Sequence, residues 1–159
     1  MKTIKLHTEI NAAPEICFDL ARSVEVHMAS TFETDERAIA GRTTGLCEIG
    51  DTITWRARHF GIMQKLTVEI TELSHPSHFQ DKMVKGAFAF FNHDHYFHSK
   101  GAQTIMEDVF CFSAPLGLLG LLAEWLFLEK YMRRLLTKRN AVIKDLAENG
   151  EWKRILKQI

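Results

Sequence analysis

Apolar and polar residues alternate one by one along most of the chain from Lys2 to Ser113, and from Leu118 onward the apolar positions recur every three to four residues instead. A period of two marks strands with one buried face, and a period near 3.6 marks an amphipathic helix. Lys2 to Ile10 opens as a strand with Ile4, Leu6, Thr8 and Ile10 on one side. Pro14-Glu15 then starts a helix, because proline fits the first helical turn and an acidic side chain suits its positive end. Ser23 starts a second short helix that runs to about Ser30. Further strands are predicted over Glu36–Thr43, Thr52–Phe60, Gln64–Leu73 and His78–Val84. In the second of these, Ile53, Trp55, Ala57 and His59 share a face opposite Arg56 and Arg58, which are assigned to solvent.

The last two strands, Ala87–His98 and Gln103–Ser113, read as a hairpin. Lys100-Gly101 as a two-residue type I′ turn sets His93 across from Asp108, His95 from Met106, Phe91 from Phe110 and Phe97 from Thr104. The other face pairs Asp94 with Glu107 and Tyr96 with Ile105. Like charges directly opposite are tolerated only in water, so that face points outward. The inward face then carries Phe91, His93, His95, Phe97, Met106, Asp108 and Phe110, an aromatic wall holding a His–Asp pair.

From Leu118, a single helix of about 30 residues, roughly 45 Å long, ends at Asn149-Gly150. Its apolar stripe includes Trp125, Leu128, Met132, Leu136, Ile143 and Leu146. Arg133, Arg134, Lys138, Arg139 and Lys144 are assigned to its solvated face. The apolar stretch Pro115–Leu128 is shorter than the ~20 residues that cross a bilayer and contains Glu124. It reads as a buried helix, with transient contact to an anionic membrane as the alternative, given the basic residues that follow.

One domain, residues 1–159, is expected from the length. Twenty basic residues balance twenty acidic ones, so charge gives no reason to expect nucleic acid. Three cysteines without a CxxC pattern argue against a disulfide scaffold and for a reducing cytoplasm, and the N-terminus lacks a signal-peptide core. No GxSxG elbow, P-loop or GxGxxG occurs. A cupin-type HxH set would need a glutamate four or five residues after His95, where Ser99 and Lys100 stand. A two-histidine, one-carboxylate set of His93, His95 and Asp108 is therefore set aside, and no metal or cofactor is assigned.

Consecutive strands followed by one long helix predict an α+β fold, an antiparallel sheet of six to seven strands curved around a C-terminal helix, with two short helices after the first strand. That order, with Asn11-Ala12-Ala13-Pro14-Glu15 opening the first helix, resembles the START-like, helix-grip superfamily, which includes polyketide cyclases and dehydratases, lipid-transfer domains and plant binders of hydrophobic ligands. The resemblance spans essentially the whole chain. Phe91-x-His93-x-His95-x-Phe97, Thr104-x-Met106-x-Asp108 and Pro115-x-Gly117-x-Leu119 look like a bacterial ligand-binding subgroup of it. The resemblance implies a deep, mostly apolar cavity between sheet and long helix and carries no assigned catalytic set.

The expected function is binding or transport of a small hydrophobic molecule under the long helix. The expected ligand-binding residues are Trp55, His59, Phe91, His93, His95, Phe97, Met106, Asp108, Phe110 and Trp125. The alternative is a cyclase or dehydratase-type enzyme acting on a polyketide-like or aromatic substrate, in which His93 takes a proton and Asp108 holds its ring. A buried pair that merely satisfies itself, or a filled core serving protein interaction, remain open beside these. The pattern does not fix the ligand or the oligomeric state.

Overall fold

The computed structural model describes residues 1–115 and 127–158. Seven strands form one antiparallel sheet: β1 (Lys2–Ile10), β2 (Arg37–Gly41), β3 (Thr52–His59), β4 (Ile62–Ser74), β5 (His78–Lys85), β6 (Phe90–Lys100) and β7 (Gln103–Ser113). Their spatial order is β1-β7-β6-β5-β4-β3-β2, so the first strand closes on the last and every other neighbour is sequential. Helices α1 (Pro14–Ala21) and α2 (Val24–Ser30) follow β1. Ser23 caps α2 by accepting from the Val26 N–H, which satisfies one of the orphan donors at the helix start. The long helix α3 (Glu129–Glu148) packs along β1, α1 and α2, and a short α4 (Trp152–Ile155) ends the chain. This is the expected α+β helix-grip architecture. The part of the predicted long helix before Phe127, with Trp125, lies outside the described residues.

The hairpin is shifted from the sequence reading. Lys100 pairs with Gln103, so the turn residues are Gly101 and Ala102. Gly101 has φ of 64° and takes the first central position, as in a type II′ turn. The expected type I′ turn would have forced Lys100 into positive φ, which costs a residue with a Cβ. His95 therefore faces Asp108, and His93 faces Phe110. Asp94 faces Val109 and not Glu107. The slip is two residues along the ladder, and because side chains alternate with period two, every residue keeps its predicted face.

The concave face of the sheet is covered by two different kinds of core. At one end, Phe18 of α1 meets Phe79 and Phe97 edge to face at 5.4 and 5.3 Å, with Ile10, Met106 and Ile143 packed around them. At the other end, Ile53, Trp55, Val68, Ile70, Phe91, Phe110 and Leu136 cluster and line a space.

Candidate functional site

That space is a cavity of about 430 Å³ between the sheet and α3. The volume is in the range of small-molecule sites, which are mostly apolar with a few convergent polar groups. Ile53, Ala57, Val68 and Ile70 from β3 and β4 form one apolar wall, and Phe91, Phe110 and Leu136 form the other. Each comes from the inward register of its strand or the buried stripe of α3.

The floor is polar. His93 and His95 sit at i and i+2 on the inward face of β6, and their rings lie 3.8 Å apart. His93 Nε2 bonds Asp108 Oδ1 at 3.0 Å, and His95 Nε2 bonds Asp81 Oδ1 at 3.1 Å. Asp81 pairs with His93 across the β5–β6 ladder. His95 Nδ1 lies 2.9 Å from Asp108 Oδ1 but outside hydrogen-bond geometry, and this atom is buried without a hydrogen-bond partner. Asp108 is fully buried. From α3, Asn140 Nδ2 donates to its Oδ2 at 2.6 Å and Arg139 Nη1 to its Oδ1 at 3.3 Å. Arg139 Nη2 also donates to the Ala21 carbonyl at 3.1 Å, tying α1 to α3.

Burial works against charge throughout this floor, and the partners decide the outcome. Burial pushes the Asp108 carboxyl up, yet the hydrogen bond from His93 and the nearness of His95 outweigh it and hold it well below the usual range. Asp81 is likewise lowered, its burial outweighed by the hydrogen bond from His95 and by the neighbouring charges. His93 is pushed down to about 4, first by burial and then by His95, against the opposing pull of Asp108. Near neutral pH the floor therefore presents two carboxylates and a neutral His93.

A second polar group also lines the cavity. His27 Nε2 bonds Glu36 Oε2 at 3.1 Å, and its ring stacks on Trp55 at 4.1 Å. His59 Nδ1 bonds the Tyr131 hydroxyl at 2.7 Å. Burial raises the Glu36 carboxyl, but His27 and His59 outweigh it and its pKa is lowered. Phe60, at φ of 52° in the β3–β4 turn, leans on Tyr131 and Phe127 and forms part of the cavity's rim.

Of the residues expected from sequence, Trp55, His59, Phe91, His93, His95 and Phe110 line the cavity. Phe97 and Met106 do not; they belong to the packed core around Phe18. Asp108 stands behind the two histidines and does not reach the cavity wall. Arg139 corrects the sequence reading outright. Expected on the solvated face of the long helix, it is 6% exposed and lines the floor. A polar residue on a helix carries no mark of its face unless its neighbours at three and four residues are read with it, and Leu136 and Ile143 flank Arg139 at those spacings. Asp81, His27, Glu36 and Tyr131 were also missed, because each meets its partner only across strands or between helix and sheet.

Among the described residues, one set could hold a metal ion: one ligand atom from each of Asp81, His93 and His95 lies within 4.8 Å of the others. The carboxylate is Asp81, not Asp108. The cysteines are free, and burial pushes the thiols of Cys17 and Cys47 up to about 11 and 12, so neither is an activated nucleophile. Among the described residues no helix is long and apolar enough to cross a membrane.

The sequence matches no family model and no curated protein. The structure is similar to solved ones. Protein TTHA0849 of Thermus thermophilus aligns with a TM-score of 0.71 at 18% identity, covering 89% of this chain and 97% of that one. The ginseng major latex-like protein 151 from Panax ginseng aligns at 0.67 and 13% identity, covering 92% and 97%. A START superfamily protein from Mycobacterium smegmatis aligns at 0.66 and 11% identity over 99% of both chains. Such identities speak to fold alone, and with the element order and the helix-gripping sheet they give this chain the START-like helix-grip fold.

Proposed function

We propose that this protein binds a small hydrophobic molecule carrying a polar end, held with its apolar body between sheet and α3 and its polar end on the floor. The observation behind this reading is the cavity itself: about 430 Å³, apolar-walled, with ionised and hydrogen-bonding groups gathered at its floor. Burial of apolar surface supplies affinity at about 25 cal/mol per Å², while the floor fixes orientation. Asp81, His93 and His95 meet the ligand, and Asp108 holds the imidazoles from behind. Exposed Phe60 and Phe127 meet at the rim, which suits transient contact with a membrane surface during ligand exchange.

The experiment is titration with an environment-sensitive apolar dye, joined to native mass spectrometry of gently purified protein. One saturable dye site, lost on Ala57→Phe, is expected. Failure of the wild-type protein to bind any apolar probe would remove the proposal.

The enzyme reading, with His93 as proton acceptor and Asp108 as its orienting carboxylate, draws on the same geometry: His93 faces the cavity and Asp108 stands behind it. A general base works best with a pKa near the operating pH. At about 4, His93 is a weak base at neutral pH, which favours binding over proton abstraction.

A further inference from the structure

We propose that Asp81, His93 and His95 form a binding site for a divalent transition-metal cation on the cavity floor, with Asp108 as the outer carboxylate behind the two histidines. Two imidazoles and one carboxylate are the donor set of Zn²⁺, Co²⁺ or Fe²⁺ sites, whereas Ca²⁺ and Mg²⁺ prefer oxygen alone.

The geometry is close to what a cation needs. Ligand atoms about 2.1 Å from one ion lie roughly 3 Å apart, and His95 Nε2 and Asp81 Oδ1 are already 3.1 Å apart. The β5–β6 pairing of Asp81 with His93 brings the third ligand alongside. All three come from two adjacent strands in the middle of the sheet, so the site is built on rigid elements.

His95 supplies the second, independent observation. It is 2% exposed, and each ring nitrogen has a carboxylate oxygen within about 3 Å. Nδ1 is buried without a hydrogen bond. A cation beside Asp81 fits this arrangement. Nε2 gives its lone pair to the metal beside Asp81, and the proton sits on Nδ1 towards Asp108. That is the carboxylate–histidine–metal arrangement in which an outer carboxylate fixes the tautomer. Asp108 already accepts from His93 in the same way.

Charge agrees. Asp81 and Asp108 bring two negative charges and Arg139 one positive, so the carboxylates outnumber the neighbouring guanidinium. The three protein ligands leave open positions on the cavity side, where a water or a ligand heteroatom completes the coordination.

The test is titration of the full chain, stripped with chelator, using Co²⁺ as a spectroscopic probe and Zn²⁺ in competition. One equivalent per chain with visible Co²⁺ bands, displaced by Zn²⁺, is expected. Asp81→Asn and His95→Gln should each weaken affinity at least tenfold, while His98→Gln on the surface leaves it unchanged. No stoichiometric binding, or the same affinity in the floor variants as in wild type, would overturn the site. Should those variants fold poorly, histidine-ring NMR of the wild-type chain decides. Zn²⁺ must shift His93 and His95, and shifts confined to surface histidines refute the proposal. Dye binding measured in chelator tests the hydrophobic-ligand reading separately, so either can fail alone.

Discussion

His95 stands directly across the β6–β7 ladder from Asp108, and His93 reaches the same carboxylate oxygen diagonally at 3.0 Å. One buried carboxylate thus organises both histidines of the cavity floor, and α3 joins the group through Arg139 and Asn140.

Asp108→Asn removes the charge that this network is built around. Arg139 then loses its ion-pair partner and keeps hydrogen bonds to the Ala21 carbonyl and Asn140. Breaking one member of a buried ion pair costs roughly 3–5 kcal/mol, and a loss in that range is expected from urea denaturation at pH 7.

Arg139→Met and Arg133→Met differ only in which side of α3 they alter. Arg133 is exposed and pairs with Glu129 of its own helix, so its replacement should change stability by about 0.5 kcal/mol or less. The Arg139 replacement leaves buried Asp108 with His93 and Asn140 but without its guanidinium, and should cost about 3 kcal/mol by the same denaturation. Equal effects would contradict the buried position of Arg139.

Acid should destabilise the metal-free protein in a defined window. The folded-state pKa of His93, about 4, lies below its ordinary 6.5, so the unfolded chain takes up the proton first. Stability is full above pH 6.5 and falls as pH drops towards 4, by about 3 kcal/mol for this group. The two carboxylates add their own loss at lower pH. Denaturation in chelator across this range, with His93→Gln as comparison, should show a shallower slope between pH 6.5 and 4 in the variant.

Filling the cavity and carving the packed core should give opposite results. Ala57 is buried on the cavity wall, and Ala57→Phe should lower dye affinity at least tenfold while costing about 1–3 kcal/mol of stability at most. Phe97→Ala opens a hole beside Phe18 and should cost about 3–5 kcal/mol with dye affinity nearly unchanged. Paired calorimetric melting and dye titration of the two variants check both.

The period-two pattern of β6 and β7 and the helical spacing after Leu128 determined much of this molecule without any tertiary information. They placed His93, His95 and Asp108 on one inward face, and that survived a two-residue error in register because parity is a local property of the pleat. Register itself was decided by turn chemistry, through the glycine at the first turn position. Only the folded chain decided which polar groups meet. Asp81 joins the histidines across a strand pair, Arg139 arrives from a helix thirty-one residues beyond Asp108, and Phe97 and Met106 pack against α1 and do not face the cavity. Alternation reports which side a residue faces, but whether that side is filled or hollow depends on what other elements bring to it, and no local pattern carries that.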